Sequence, residues 1–387
     1  MRYLYLICAL VSACANASPY FPPAGEWAEV KAATLQVNEQ LLADAVQYAI
    51  ASENPASKDQ ATVQATTFGA KEPYDQIIGP MSVRAPANGL IIYKGKLIAQ
   101  WGDTNAVDMT HSITKTFLTT VTGLAWQQGL IHNLQDKVDS YLPKEGPYGV
   151  DLYQGEHNSQ IRWDHLLRQT SDWQGTLWGK PDWADRPEGK TPADWPKRPL
   201  RTPGSHYKYN DVRVNVLALS TLYVWRKPLP QVLNEQIMSP IGASSTWRWY
   251  GYDNSWIELD GQKIQSVSGG GHWGGGMFIN AWDLARFGYL FLRDGKWQDK
   301  QLISKEWIRL ASTGGSANPE YGFANWFLNP GRKALPSAPE TAITFQGAGR
   351  NIIYIDKDND LLMVVRWIGN GDELNQLVGK VLTALPH

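Results

Sequence analysis

The sequence predicts an α+β protein in which one antiparallel sheet is built from both ends of the chain, with a helical region inserted between them. Two β-rich runs flank a Lys-Gly turn within residues 89–102, which is typical of a hairpin. Helical patterns joined by long loops occupy about 131–270, and three apolar or alternating runs follow within 341–367. This order of strands, helices and strands is the basis of the predicted fold.

Length and composition are compatible with this architecture. The chain has 387 residues, enough for a large composite of two or three domain-sized units. Hydrophobic residues make up 43% and charged residues 19%, which is ordinary for a globular protein. The net charge of −1 gives no basic excess that would indicate nucleic-acid binding. We expect an α/β domain from residues 18–130 and 280–387, and an all-helical inserted domain from 131–279.

The first residues have the pattern of an export signal. A positive end, Met1-Arg2, precedes an apolar run that is too short to span a membrane as a mature helix. Ala15-Asn16-Ala17 is a small-x-small cleavage site, which predicts a signal peptide of residues 1–17. Val11-Ser12-Ala13-Cys14 also resembles a bacterial lipobox, which would end the signal at residue 13 and attach lipid to Cys14.

Both alternatives predict a periplasmic protein, either soluble or anchored to the outer membrane as a lipoprotein. The two cysteines, Cys8 and Cys14, both lie in this segment. The mature chain is therefore expected to have neither a disulfide nor a thiol nucleophile.

Hydrophobic periodicity and end signals place the individual elements. Helices are predicted at about residues 37–52, 112–129, 161–170, 211–225, 228–239, 284–293 and 372–382. C-terminal strands are predicted at 341–347, 351–356 and 361–367. The glycine-dense stretch 268–276 predicts a backbone that turns tightly or closely approaches another group.

A Ser-x-x-Lys pair begins the second predicted helix. Ser112 and Lys115 are three residues apart, so they share one face of the helix. A serine hydroxyl needs a base beside it to act as a nucleophile, and a lysine serves only if its pKa is lowered. The residues that follow are mostly apolar or small. We therefore expect a buried helix in which burial lowers the pKa of Lys115.

A third group for proton transfer is available in Pro203–Asp211, where a turn precedes two tyrosines and another helix. With this segment, the chain resembles the class C β-lactamase, DD-peptidase and esterase family of serine hydrolases. The family's spacing selects Tyr209, with Tyr207 as the runner-up, and puts Asp211 where an asparagine usually stands. The resemblance extends over residues 89–367 and includes two further segments, Leu166–Ser171 and Gly275–Gly288.

The family's third motif is Lys-Thr-Gly or His-x-Gly on a strand beside the serine. The matching strand keeps Gly347, but Phe345 replaces the cation that helps to hold a substrate carboxylate. The resemblance therefore favours a neutral ester or amide substrate, as in the family's esterases and nylon-oligomer hydrolases. It implies oxyanion binding by the backbone N–H groups of Ser112 and Ala348, with Gly347, Phe345 and Asp211 lining the substrate pocket. Arg350 or Arg213 could supply a cation from elsewhere.

The resemblance implies a serine hydrolase that works through a covalent acyl-enzyme on a small ester, amide or peptide, without a cofactor. Ser112 would attack, Lys115 would accept its proton while neutral or sharing a proton with Tyr209, and Tyr209 would relay a proton to the leaving group. A β-lactamase or D-Ala-D-Ala carboxypeptidase is the alternative activity. A non-catalytic binding protein with the same fold is the further alternative.

Other polar residues have simpler interpretations. No histidine lies in a Gly-x-Ser-x-Gly elbow, so His111 and His272 are expected to be structural. Metal-ligand spacing is absent from the sequence, so no metal site is predicted. One acidic cluster is interpreted as a solvated loop; its members are Asp182, Asp185, Glu188 and Asp194.

Overall fold

The computed structural model describes residues 19–143 and 152–386. The α-helices are α1 (Glu39–Ala51), α2 (Gln60–Thr66), α3 (Thr114–Gln127), α4 (Gly155–Asn158), α5 (Trp163–Leu167), α6 (Asp211–Trp225), α7 (Leu229–Leu233), α8 (Ala281–Leu292), α9 (Lys305–Ala311) and α10 (Gly371–Ala384). The strands are β1 (Asn88–Tyr93), β2 (Lys96–Trp101), β3 (Asp108–Met109), β4 (Thr176–Leu177), β5 (Lys180–Pro181), β6 (Arg248–Leu259), β7 (Gln262–Val267), β8 (Gly276–Ile279), β9 (Lys296–Trp297), β10 (Lys300–Gln301), β11 (Phe327–Leu328), β12 (Ile343–Gly347), β13 (Asn351–Asp356) and β14 (Leu361–Arg366). The predicted signal segment, with Cys8 and Cys14, lies outside the described residues.

The main sheet is built from both parts of the chain, as predicted. Its six strands are antiparallel in the order β11-β12-β13-β14-β1-β2. The junction pairs β1 with β14, with Asn88 opposite Arg366 and Tyr93 opposite Leu361. This pairing brings the segment that precedes the Ser112 helix beside the C-terminal strands.

Hydrophobic cores cover both faces of the sheet. Ile92 and Phe117 belong to the larger core, which includes α3 and α8. Ile91 belongs to the second core, with Leu42 of α1 and Leu377 of α10. Ile91 and Ile92 point to opposite faces because side chains alternate along a strand. Burial of each such side chain contributes roughly 1.5–3 kcal/mol.

Helix α3 is buried, as its sequence predicts. All its residues from Thr114 to Ala125 are buried, and Phe117 stacks on Phe287 of α8 with ring centroids 4.0 Å apart. Threonine hydroxyls inside the helix bond to its own backbone, as Thr120 does to the carbonyl of Thr116 at 2.8 Å. These bonds satisfy the hydroxyls, so a threonine-rich helix can lie in the core.

The structure corrects the expectation of an all-helical insert at residues 131–279. This region also contains β6, β7 and β8, which form a second antiparallel sheet with β3. Much of β6 alternates between exposed and buried positions, the pattern of a strand with one solvent-facing side. Aspartate, asparagine and glycine interrupt that alternation in the sequence, where helices joined by long loops are predicted.

Within residues 19–143 and 152–386, no helix combines the length and the apolar character needed to cross a bilayer.

Candidate active site

Ser112 lies in a tight helical turn, His111–Ile113, between β3 and α3. It is partly exposed, whereas every other residue from Asp108 to Ala125 is buried. The preceding His111 has a φ of 50°, a conformation that non-glycine residues rarely adopt. Such conformations concentrate at functional sites. The fold therefore exposes one hydroxyl at the end of an otherwise buried segment.

Strand β12 passes directly beside this turn. A Cβ added to Gly347 would lie 2.0 Å from the carbonyl oxygen of Thr110, two residues before Ser112, so only glycine fits. Ala348 follows the strand, is partly exposed, and accepts a 2.9 Å hydrogen bond from the Asn351 side chain through its carbonyl. The structure thus brings predicted residue Gly347 against the serine turn and puts Ala348 at the end of the same strand.

The buried guanidinium of Arg366 holds these pieces together. It donates to the side-chain oxygen of Asn351 at 2.9 Å, to the carbonyl of Ile279 at 2.6 Å and to the carbonyl of Met109 at 3.0 Å. Burial lowers the pKa of Arg366 to about 10, so it remains a cation at neutral pH. The role of Arg366 is not predicted from the sequence, because it depends on three segments that meet only in the fold.

Lys115 joins the remaining predicted groups. Its Nζ lies 2.9 Å from Ser112 Oγ and 2.5 Å from Asp211 Oδ1. The same Nζ is 4.6 Å from the centroid of the Tyr209 ring. The Lys115 side chain is completely buried. Four of the predicted site residues, Ser112, Lys115, Tyr209 and Asp211, therefore form one cluster.

The protonation of Lys115 differs from the sequence-based expectation. Burial does lower the pKa of Lys115, but the carboxylate of Asp211 and the oxygen of Tyr209 outweigh burial, and the pKa is raised above 10.5. Burial likewise opposes ionisation of Asp211, yet Lys115 and Arg186 hold its pKa well below 3.8. Lys115 is therefore an ammonium that donates to Ser112 Oγ. The expectation that the pKa of Lys115 is lowered is wrong, because the carboxylate of Asp211 lies against it.

Removing this ion pair distinguishes two possible roles of Lys115, an active ammonium and a neutral general base. The Asp211→Asn substitution removes the main group that raises the lysine pKa, so the pKa falls. If the ammonium form is active, the alkaline loss of kcat/KM moves to lower pH in the variant. If neutral lysine were the base, kcat/KM at neutral pH would instead rise. A pH profile of ester hydrolysis by both proteins distinguishes these outcomes.

The same pair fixes a pH window for stability. The lowered pKa of Asp211 means that its contribution is present above pH 3.8 and is lost at lower pH. The raised pKa of Lys115 means that its contribution is present below pH 10.5 and is lost as pH rises through the folded-state pKa. Between these limits the pair stabilises the fold without pH dependence.

Asp185 and Arg186 complete the cluster and were not predicted. Arg186 donates to Asp211 Oδ2 at 3.1 Å and also to Asp185 Oδ1. The second oxygen of Asp185 accepts from the backbone N–H of Asp211. Burial opposes the charge of Arg186, but Asp185 and Asp211 raise its pKa. The solvated-loop interpretation is therefore wrong for Asp182 and Asp185, which are buried.

Helix α6 presents Tyr209 and Asp211 through its N-terminal cap. The side-chain oxygen of Asn210 accepts from the backbone N–H of Arg213 at 3.0 Å, the arrangement of a helix cap. The backbone N–H of Asn210 donates to the side-chain oxygen of Gln169, in the segment after α5, at 2.8 Å. These bonds fix the backbone on both sides of Asn210, so the tyrosine and the aspartate occupy defined positions.

The glycine-dense loop closes the cluster from the other side. A Cβ on Gly270 would lie 1.8 Å from Asp211 Oδ1 and 2.4 Å from Lys115 Nζ. Four glycines of the stretch, from Gly271 to Gly276, have φ between 68° and 95°. Both parts of the prediction for this stretch, tight turns and close approach, are confirmed.

Phe345 does not contribute to this cluster. Its side chain is completely buried, and its ring packs among those of Phe291, Trp326 and Phe287 at 5.3, 5.1 and 6.5 Å. The expectation that Phe345 lines the substrate pocket is corrected: its side chain belongs to the aromatic core beneath the sheet. Burial of the aromatic ring in this core is more favourable than its exposure to solvent.

The cations proposed as substitutes are also placed elsewhere. Arg213 pairs with Asp172 at 2.7 Å and is buried. Arg350 is exposed, and its guanidinium lies near Gly371, the first residue of α10. Neither contacts the Lys115 cluster, whereas Arg186 does.

Tyr207, the runner-up, packs on Tyr321 with ring centroids 5.0 Å apart, and Tyr209 packs on the same ring at 6.3 Å. Burial raises the pKa of Tyr207. Because Lys115 and Arg186 both lie over the ring of Tyr209, that tyrosine is the one associated with the serine.

The histidines have structural partners. His111 bonds to the Gln60 side chain at 2.8 Å, and burial, with Arg366 nearby, lowers the His111 pKa to about 3. His272 Nε2 lies 2.6 Å from Glu72 Oε2. Glu72, His272 and Asp185 come within 4.8 Å of one another, as metal ligands do. Both Asp185 oxygens already accept from Arg186 or Asp211, so the carboxylates of this cluster are engaged in hydrogen bonds within the protein.

An antiparallel sheet built from both chain ends, with a Ser-x-x-Lys helix packed under it, defines the β-lactamase/transpeptidase-like class of fold. A family model named Beta-lactamase matches residues 90–377. The chain therefore belongs to the Beta-lactamase family, a family of hydrolases. No curated protein sequence matches the chain.

Solved structures share the fold at low sequence identity. A protein named EstCE1, a hydrolase with promiscuous acyltransferase activity, is 19% identical with a TM-score of 0.56, over 88% of this chain and 98% of that one. A protein from Bacillus anthracis, named as a 6-aminohexanoate-dimer hydrolase, is 16% identical with a TM-score of 0.55, over 80% and 84% of the chains. A β-lactamase from Mycobacterium bovis is 20% identical with a TM-score of 0.51, over 83% and 97%.

Proposed function

We propose that this protein is a serine hydrolase that cleaves an ester or amide through a covalent acyl-enzyme on Ser112. One observation carries the proposal: the only partly exposed side chain of the segment 108–125 is a serine whose Oγ lies 2.9 Å from the buried ammonium of Lys115. An ammonium held in a dry site stabilises a developing serine alkoxide. Membership of a hydrolase family supports the same conclusion.

The proton transfers follow from the charges of the cluster. Ser112 Oγ bonds to the substrate carbonyl carbon as a proton relay runs through Tyr209, since protonated Lys115 has no free lone pair. In this relay the Tyr209 oxygen accepts the serine proton and passes its own hydroxyl proton to the leaving group, whose bond to the carbonyl carbon breaks when the tetrahedral intermediate collapses. Water repeats the sequence on the acyl-serine and releases the acid. Asp211 holds Lys115 in its ammonium form throughout.

The oxyanion is proposed to bind the backbone N–H groups of Ser112 and Ala348. Gly347 supports this arrangement, because its contact with Thr110 holds the end of β12 against the serine turn. Loss of one oxyanion donor typically reduces kcat about 10²–10³-fold.

A β-lactamase or D-Ala-D-Ala carboxypeptidase remains the second candidate, supported by the family and by the partly exposed cation Arg186 beside Asp211. The buried position of Phe345 favours the ester or amide hydrolase, because that strand offers no cation for a carboxylate. A hydrolysis panel compares the two. Cephalosporin turnover well above p-nitrophenyl ester turnover would favour the second candidate.

We also propose export to the periplasm, with or without a lipid on Cys14. Expression with a radiolabelled fatty acid tests the anchor: a labelled wild type and an unlabelled Cys14→Ser variant support lipidation. An unlabelled wild type that is cleaved after Ala17 supports the soluble form.

Covalent labelling tests the catalytic assignment. We expect a fluorophosphonate probe to label the wild-type protein at Ser112, and we expect no labelling of a folded Ser112→Ala variant. A circular dichroism melt controls for folding, and the hydroxyl removed is partly exposed, so stability changes little. A wild type that resists the probe would favour the non-catalytic binding protein. A labelled Ser112→Ala variant would place the nucleophile elsewhere.

A further inference from the structure

A cavity of about 480 Å³ opens beside the proposed active site. It lies between the segment that follows α2 and the loop that begins at Arg186. Its lining includes apolar and cationic side chains, among them Phe68, Lys71, Arg186, Pro187 and Trp195. This volume is within the range of small-molecule pockets, which combine apolar walls with a few polar groups.

Arg186 connects this cavity to the catalytic cluster. Its guanidinium carbon lies 5.2 Å from the centroid of Phe68 in the cavity wall and 4.8 Å from the centroid of Tyr209. Its Nη1 bonds to Asp211, the partner of Lys115. A substrate that reacts at Ser112 beside Tyr209 could therefore extend past Arg186 into the cavity.

The acidic group of the cavity already has partners. Glu72 Oε1 accepts the backbone N–H of Arg186 at 3.0 Å, and Glu72 Oε2 bonds to His272 at 2.6 Å. Each oxygen of this carboxylate is thus engaged. Glu72 positions the loop and has little capacity left for a cationic ligand.

The cations of the cavity are only partly used. About a third of the Arg186 side chain is exposed. Its hydrogen bonds to the described residues come from the backbone N–H and from Nη1. Its Nη2 and Nε therefore make no hydrogen bond with residues 19–143 or 152–386. Lys71 is exposed, and its ammonium makes no hydrogen bond or ion pair with residues 19–143 or 152–386. The unused capacity consists of positively charged donors, which match a carboxylate.

We propose that this cavity is a subsite for a carboxylate at one end of the substrate, bound by Lys71 and Arg186, with the adjoining apolar chain against Phe68 and Trp195. The proposal rests on the proposed hydrolase function and names its substrate class. It also revises the expectation of a neutral substrate. The cation that Phe345 does not supply on β12 comes instead from the loop at Arg186 and from the segment after α2.

Paired esters test the subsite. Mono-p-nitrophenyl adipate has a carboxylate at the end of its acyl chain, and p-nitrophenyl hexanoate lacks it. In the second pair, 4-acetoxybenzoate has a carboxylate on its leaving group, and phenyl acetate lacks it. We expect wild type to prefer the carboxylate member of at least one pair in kcat/KM. We expect Lys71→Glu to lower that preference about tenfold or more, as the loss of a charge-assisted hydrogen bond with added repulsion predicts.

A charge reversal elsewhere provides the control. Lys300→Glu changes an exposed lysine of the β9–β10 hairpin and makes the same change in net charge, so its carboxylate preference should equal that of wild type. The subsite proposal is overturned if Lys71→Glu leaves the carboxylate-to-neutral ratio unchanged in both pairs. Ester turnover that depends on Ser112 would still support the proposed hydrolase in that case.

Binding separates failure of the subsite from failure of catalysis. If no ester is hydrolysed, the proposed function fails, and calorimetry of the Ser112→Ala protein tests the cavity alone. We then expect monomethyl adipate to bind more tightly than methyl hexanoate, with a difference that shrinks in high salt and in Lys71→Glu. Equal binding of the two esters would overturn the subsite.

Discussion

The Lys115→Met substitution is expected to reduce ester hydrolysis by about 10³-fold, the upper range for loss of a group that stabilises the charge developing in the transition state. Methionine fills nearly the same volume but cannot donate to Ser112 Oγ. It also leaves the buried carboxylate of Asp211 with Arg186 as its remaining side-chain partner. Breaking a buried ion pair costs about 3 kcal/mol, so we also expect lower stability. Steady-state kinetics and urea unfolding measure the two effects.

A double variant separates catalysis from stability. In Lys115→Met/Asp211→Asn the unpaired carboxylate is also removed, so we expect most of the lost stability to return while hydrolysis stays low. If activity returned with stability, Lys115 would act through the fold alone. Wild-type activity in the single variant would contradict any role for the ammonium.

The Gly270→Ala substitution is expected to reduce kcat/KM by about 10²-fold, because the added Cβ would lie 1.8 Å from Asp211 Oδ1 and 2.4 Å from Lys115 Nζ. Gly270 does not have a positive φ, so alanine is compatible with its backbone, and the obstacle is space alone. One side of the ion pair must move, and misplacement of a catalytic group by about 1 Å has an effect of this size. The kinetics of ester hydrolysis give the result.

Gly315→Ala is the matched control for this substitution. Its backbone also lacks a positive φ, and the nearest atom to the added Cβ is a flexible part of the Arg168 side chain at 3.4 Å. We expect near wild-type kinetics. Equal activity of both variants would show that the close approach of the glycine loop does not matter for the reaction.

Much of the architecture could be predicted because its signals are local. The predicted helix 211–225 coincides with α6, and the predicted strands 351–356 and 361–367 differ from β13 and β14 by at most one residue. Strand β6 was missed because aspartate, asparagine and glycine break its alternation. Its partner β8 is distant in sequence, but the Asp260-Gly261 turn that joins β6 to β7 is a local hairpin signal that the prediction overlooked.

The chemistry of the site was less predictable because it depends on distant partners. Ser112 lies in the helical turn directly before α3 and Lys115 lies in the first turn of α3, three positions later, so their contact follows from the sequence. The charge of Lys115 depends on Asp211, which is 96 positions away, and the charge of Asp211 depends in turn on Arg186. The sequence pattern predicts that Lys115 is buried and that its pKa is therefore lowered. Only the fold shows that the carboxylate of Asp211 outweighs burial and raises that pKa.

The most direct test of the account is to identify the acylated residue during turnover. Wild-type protein is mixed with a p-nitrophenyl ester, quenched in acid within the first turnovers, digested and analysed by mass spectrometry. The account predicts an acyl group on the peptide that contains Ser112. It also predicts a larger fraction of acylated protein when hydrolysis of the acyl-serine by water is slowed. Turnover with no acylated peptide, or with the acyl group on another residue, would contradict the account.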